Sequence, residues 1–323
     1  MQDPQDSPSP SPAQSGSHWE RETLERLAFA SLHEQQKARR WKNALRLAWL
    51  LLALWVLWMG WSYNAPMANP SQPHTAMVAI RGEIGAEGEA SAENVIAAMR
   101  AALEDRGSRA LVLVINSPGG SPVQAGIVND EIHRLRQLHD KPIYAVVEES
   151  CVSAAYYIAA AADAVYVDKA SLVGSIGVLM DGFGFTGLMD KLGIERRLMT
   201  AGENKGFLDP FSPQTEAQRK HAQAMLNQIH QQFIGVVKSG RGDRLKETPE
   251  MFSGLFWTGQ QAVEMGLADG LGSLDSIARD LVKAADVIDY TRRENVAERL
   301  AKRFGAAFGE ASVKALRAAG ALR

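Results

Sequence analysis

Two glycine- and serine-bearing turns and one lysine in this 323-residue chain have the residue types that acyl transfer needs. The first turn is Asn116-Ser117-Pro118-Gly119-Gly120, directly after the apolar run ALVLVI (110–115). Two adjacent glycines let backbone approach a ligand closely and aim an N–H at it, which suits an oxyanion when the turn joins a strand end to a helix start. The second is Glu149-Ser150-Cys151-Val152-Ser153-Ala154-Ala155, after IYAVVE (143–148). Ser153 falls at or near a helix start, where free N–H groups favour negative charge. Ala154 and Ala155 leave room for substrate, and the Ala154 N–H can serve as a second oxyanion donor. A serine nucleophile needs a base. No histidine stands in a recognisable motif, but a lysine can serve once desolvation favours its neutral form. Lys205, in Ala-Gly-Glu-Asn-Lys-Gly-Phe-Leu-Asp-Pro-Phe, is the candidate, with Phe207, Leu208 and Phe211 expected to bury its ammonium. Ser175, in Leu-Val-Gly-Ser-Ile-Gly-Val, can hydrogen-bond and orient that amine.

Each feature also has an ordinary reading, and local sequence alone favours it for the glycine turn, for Ser153 and for Lys205. Gly119-Gly120 can be a plain tight turn. Ser153, or Ser150, can be a helix N-cap. Lys205 can be a solvated loop charge, and Ser175 a turn serine between glycines. Cys151 is a rival nucleophile, though it lacks a histidine partner nearby in sequence, and a lone buried cysteine is usually inert packing.

Bulk properties narrow the classes. Net charge is −2 with 22% charged residues, which argues against nucleic acid as the main partner. Cys151 is the single cysteine, so no intrachain disulfide and no cysteine-based metal site can form. The histidines show no HxxxH or HxH spacing; His133 and His139 are the nearest approach. No metal and no cofactor are expected.

These residues must be positioned by the elements around them. Residues 1–46 read as an N-terminal segment, Pro/Ser-rich and disordered through residue 17, then charged and helix-favouring. Residues 47–63 (LAWLLLALWVLWMGWSY) form an uncharged run long enough to span a bilayer, with Trp55, Trp58, Trp61 and Tyr63 toward its far end as an aromatic belt. Lys37, Arg39, Arg40, Lys42 and Arg46 precede it. Positive charge inside then puts the N-terminus in the cytoplasm and the body outside. Residues 64–74 read as a linker, residues 75–285 as the main domain and residues 286–323 as a tail with an amphipathic helix. In the body, short apolar runs alternate with helical patterns, the mark of an α/β domain. Strands are expected at 77–80, 110–115, 143–148, 164–167 and 196–200. Helices are expected at about 91–104, from Ser121-Pro122 to about 138, at 151–162, at about 185–192 and from Ser212-Pro213 to about 238.

Taken together and in order, NSPGGSP (116–122), SAAYYIAAAAD (153–163), SLVGSIGV (171–178), NKGFLDPFS (204–212) and WTGQQAVEMGLADGLG (257–272) resemble the bacterial signal peptide peptidase A family, in its short form. The resemblance covers about residues 75–285 and the single anchor. It implies a ClpP/crotonase-like α/β fold of repeated ββα units, preceded by one transmembrane helix. It implies a Ser-Lys protease with Ser153 as nucleophile, Lys205 as general base, Ser175 orienting the lysine, and Gly120 and Ala154 lining the oxyanion hole. It also implies peptide substrates such as cleaved signal peptides, a homo-oligomeric ring, and a place in the bacterial inner membrane with the catalytic domain on the periplasmic side. Relatives often carry glycine where this chain has Ala154, which keeps the donor but narrows the pocket. Two other readings share the fold: a crotonase-type acyl-CoA enzyme, working through carboxylates, and a membrane scaffold with a dead site.

Overall fold

The β-branched runs form the strands of one mostly parallel sheet. The computed structural model describes residues 39–56, 58 and 72–293, and the chain divides at Ala65/Pro66 into two units. In the first unit, residues 39–56 are helical (α1), with exposed side chains. Among the described residues no helix is long and apolar enough to cross a membrane. Residues 57 and 59–63 of the expected span, most of the 64–74 linker, residues 1–38 and the 294–323 tail lie outside the described residues.

The second unit runs β1 (His74–Arg81), α2 (Ala92–Glu104), β2 (Ser108–Ser117), α3 (Pro122–Leu138), β3 (Ile143–Val152), α4 (Ala154–Ala159), β4 (Ala164–Val167), β5 (Leu172–Gly174), α5 (Thr186–Leu192) and α6 (Glu216–Arg241). It continues through β6 (Phe256–Thr258), α7 (Gly259–Glu264), β7 (Gly270–Leu271), α8 (Leu274–Ser276) and β8 (Val287–Asp289). Sheet order is β6-β5-β3-β2-β1-β8, with β4 joining β3 to β7. Every pairing is parallel except that of β5 with β6. This is an α/β sheet fold. Single strands alternate with helices through β4, and only then do two strands follow one another, so the expected ββα repeat is not a regular one here.

Alternate residues of β2 point to opposite faces, and Ala110 to Ile115 are all buried, as a central parallel strand requires. Leu111, Leu113 and Ile115 join Met99 and Leu103 of α2 and Ile132 and Leu135 of α3 in the main core. Val112 and Val114 face the other way, packing with Val146 and Ile277. Truncating Leu113 to alanine would cost about 2–5 kcal/mol, in line with buried leucines generally.

Strand β3 serves two neighbours. Its first half, Tyr144 to Val147, pairs with β4, and its end, Ser150 to Val152, pairs with β5. The register against β2 also slips: Ile115 lies opposite Val147, but Ser117 lies opposite Cys151. Two steps along β2 thus match four along β3. The slip carries β3 forward and sets its end beside the Gly119-Gly120 turn.

Three expectations need correction. The helix expected from Ser212-Pro213 opens only at Glu216, with Thr215 as its N-cap in a capping box with Gln218. The helix expected at 151–162 begins only at Ala154, because Cys151 and Val152 still pair in the sheet with Val173 and Gly174. Residues 196–200 form no strand; their side chains are exposed, with no neighbouring strand to pair with. Around them, from Leu179 to Met199, few side chains are covered: Leu179, Phe183 and Met199 are 81%, 82% and 94% exposed.

Candidate active site

Ser153 stands at the joint between β3 and α4, in a backbone conformation (φ 54, ψ −127) that a non-glycine residue rarely adopts. It occupies the N-cap position of α4, but its side chain makes no capping hydrogen bond. Capping therefore does not explain this serine. The conformation is held by the surrounding backbone: the Ser153 N–H donates to the Gly174 carbonyl oxygen at 2.8 Å, and Tyr157 N–H donates back to the Ser153 carbonyl at 3.1 Å. Strained residues of this kind persist only where neighbours over-determine them, and they cluster at functional sites. Ser150 is no cap either; it lies in β3 and its hydroxyl donates to Asn116 Oδ1 at 3.5 Å.

The Gly119-Gly120 turn lies directly against this serine. Gly119 has φ 100, and a methyl built on it would sit 2.8 Å from Ser153 Cβ and 2.9 Å from the Val152 carbonyl oxygen. Gly120 has φ 143, and a methyl there would strike the Ile84 carbonyl oxygen at 2.2 Å. Only glycine fits at either position. Ile84 N–H donates to the Gly119 carbonyl at 2.8 Å and Ser121 N–H donates to the Ile84 carbonyl at 2.8 Å. In a parallel bridge of this kind the middle residue's own N–H does not engage the partner, so the Gly120 N–H is directed away from Ile84. It has no hydrogen-bond partner among the described residues. Neither has the Ala154 N–H, one of the helix-opening donors that no intrahelical carbonyl can reach. One of these donors belongs to the residue after Ser153, the other to the residue after Gly119, which lies against that serine.

Ser175 follows Gly174 directly and shares its constraint, with φ 49 and its N–H donating to the Leu255 carbonyl at 2.8 Å. The β3–β5 pairing therefore brings Ser153 and Ser175 to the same end of the sheet. Lys205 lies in the turn region between α5 and α6, its own N–H bonded to the Gly202 carbonyl at 3.1 Å. Its side chain is exposed. Among the described residues no hydrogen bond or ion pair links its ammonium to Ser153 or Ser175, or to any other group. The expected apolar cover is directed elsewhere. Phe207 meets His221 edge-on at 5.7 Å, Phe211 stacks on Phe185 at 5.4 Å with Arg196 over its ring, and Leu208 is exposed.

The rival nucleophile is disposed of by burial. Cys151 is wholly buried, and desolvation pushes its thiol pKa far up, so the reactive thiolate is not formed. One histidine also reaches this end: His230 of α6 places Nε2 3.0 Å from the Ile176 carbonyl, one residue past Ser175. A carbonyl only accepts, so that nitrogen carries its proton and is not a base. Sequence reading gives Gly174 no role, although this glycine immediately precedes Ser175, and it does not reveal the contact of Gly119 with Ser153.

A sequence model of Peptidase family S49 matches residues 136–288, a stretch that holds Ser153, Ser175 and Lys205 but begins after the glycine turn. A protein of Enterococcus faecium with the name "Putative signal peptide peptidase SppA" is 30% identical over 203 residues, covering 61% of this chain and 59% of that protein.

Residues 136–288 carry the sequence pattern of Peptidase family S49.

Other relatives spread more widely. "Protease 4" of Haemophilus influenzae is 27% identical over 205 residues, 62% of this chain and 33% of that protein. A Brucella abortus protein named "Na(+)/H(+) antiporter NhaA" is 44% identical over 178 residues, 55% of this chain but 24% of that protein. The chain thus spans less than two thirds of each of these relatives, from 24% to 59% of their length.

Proposed function

We propose that this chain is a membrane-anchored serine endopeptidase working through an acyl-enzyme. Neutral Lys205 takes the Ser153 proton as the hydroxyl oxygen attacks the scissile carbonyl, while Ser175 orients the lysine amine. The Gly120 and Ala154 N–H groups hold the oxyanion that develops. The ammonium formed then protonates the leaving amine, and water releases the acyl group by the same steps in reverse. The reading is carried by one observation: Ser153 is held at φ 54 without a capping role, and Gly119 can only be glycine because it lies against that serine.

A lysine acts as a base only when kept from water, and the Lys205 side chain of one chain is exposed. We infer that a second copy covers it in a homo-oligomer, a ring in the family this chain resembles. The exposed apolar side chains between Leu179 and Met199 favour that cover. Residues 47–63 serve as the anchor in the bacterial inner membrane, with the catalytic domain on the periplasmic side. Substrates are then unfolded apolar peptides, remnant signal peptides among them, as the Enterococcus relative's name suggests.

Purified full-length protein should cleave an unfolded apolar peptide. Ser153→Ala and Lys205→Ala should each abolish cleavage while leaving folding and oligomer size unchanged. Wild-type cleavage by either variant would overturn the proposal.

A further inference from the structure

The stretch from Trp257 to Gly272 takes no part in the chemistry above, yet it touches the frame of Ser153 from two directions. The first contact is Trp257. Strands β5 and β6 pair with Val173 opposite Trp257 and Gly174 opposite Phe256. The indole lies on Gly174 so closely that a methyl built there would be 3.0 Å from its Cδ1. Gly174 has φ 105, and its carbonyl oxygen is the acceptor for the Ser153 N–H. The ring therefore packs on the very peptide that holds the Ser153 amide.

The second contact is Leu267. Its carbonyl oxygen accepts the Tyr156 hydroxyl at 2.7 Å. Tyr156 is fully buried in the first turn of α4, three residues past Ser153, and burial pushes its phenol pKa up, so it stays a donor.

Between these contacts the stretch has no room to give way. Thr258 and Gln261 close a capping box at the start of α7. A methyl on Gly259 would meet the Asp168 carbonyl oxygen at 1.8 Å, and one on Gly266 the Arg244 carbonyl oxygen at 1.8 Å. Asp269 is tied to β4 by two bonds, its N–H to the Val165 carbonyl and its Oδ2 from the Val165 N–H, each 2.7 Å. Arg241, itself buried, holds the same Oδ2 at 2.7 Å.

We propose that residues 257–267 are a positioning brace for Ser153, with Trp257 fixing the amide of the serine through Gly174 and Leu267 fixing the first turn of α4 through Tyr156. The proposal rests on Ser153 being the nucleophile. Neither Trp257 nor Tyr156 touches the reacting atoms; both act by holding Ser153 so that the carbonyl its hydroxyl attacks has its oxygen at the two oxyanion donors.

The test uses Tyr156→Phe, which removes one oxygen, and Trp257→Phe, which keeps an aromatic ring but a smaller one. In full-length protein the rate at which a fluorophosphonate labels Ser153, per folded molecule, should fall about tenfold or more in each variant, as small displacements of reacting groups do. Peptide kcat should fall in step, with KM changed less than about twofold. In parallel, hydrogen exchange at the Ser153 amide should quicken by about tenfold in Trp257→Phe, because local opening sets that rate. Wild-type labelling per folded molecule in both variants would overturn the brace, and so would unchanged amide exchange. Should wild-type protein take no label at Ser153, the nucleophile reading fails, and the exchange measurement still decides whether the brace holds the turn. If Tyr156→Phe does not fold, Trp257→Phe carries the test alone.

Discussion

The Gly119 backbone packs against Ser153 across the end of the sheet, so close that one added carbon on the glycine would lie 2.8 Å from the serine Cβ. The turn after β2 and the turn after β3 are therefore a single packed unit. Gly119→Ala should displace Ser153 and lower peptide kcat by roughly a hundredfold, the loss expected when reacting groups shift by about an ångström. Melting temperature should fall only modestly, since overpacking costs about 1–3 kcal/mol. Steady-state kinetics beside thermal melts would check this, and an unaffected kcat would show that the contact is unimportant.

Cys151 supports the site as packing alone. Cys151→Ala should keep most of the peptidase activity. A thiol reagent should leave the native protein unlabelled and react only after unfolding, because the sulfur is wholly buried and its thiolate disfavoured. Thiol titration with and without denaturant gives the answer.

Glu131 on α3 provides a pH test of stability that is independent of catalysis. A forked hydrogen bond from Arg134, at 2.8 and 2.7 Å, is the main influence, and Arg100 adds another at 2.7 Å. Together they outweigh burial and hold the carboxyl pKa at about 2, below its usual 4.5. A depressed carboxylate stabilises the fold fully above its unfolded value, and that contribution is lost as pH falls through the folded one. Glu131→Gln should therefore melt below wild type at pH 7, with the gap closing between about pH 4.5 and pH 2. Melting curves across that window check it.

The proposed mechanism predicts that activity rises with pH, since in it the Ser153 proton passes to an unprotonated lysine. A flat profile of kcat/KM from about pH 6 to 10 would contradict a lysine base. The same series in Lys205→Arg should show no active limb, because arginine stays protonated throughout.

Much of the scaffold was legible because it rests on local patterns. The runs 110–115 and 164–167 are β-branched and fall in strands, and Ser121 does cap α3 by accepting the Gln124 N–H. What stayed hidden depends on non-local pairing. Cys151-Val152 looks helical beside its alanine-rich continuation, yet it is claimed by β5, whose partner residues lie 22 positions on, Val173 opposite Cys151. The left-handed conformation of Ser153 has no sequence signature, because serine is not the residue that such a turn selects. Nor does spacing reveal that Phe207 and Phe211 turn toward His221 and Phe185 instead of enclosing Lys205. The candidate nucleophile and its glycine turn are assembled within one chain, whereas Lys205 is left exposed by it.

The decisive measurement is the mapping of a fluorophosphonate adduct by peptide mass spectrometry on the full-length, assembled protein. A single adduct on Ser153, lost in Lys205→Ala with the assembly intact, is the result predicted. An adduct on another serine, or wild-type labelling of Ser153 without Lys205, would contradict the Ser153–Lys205 mechanism.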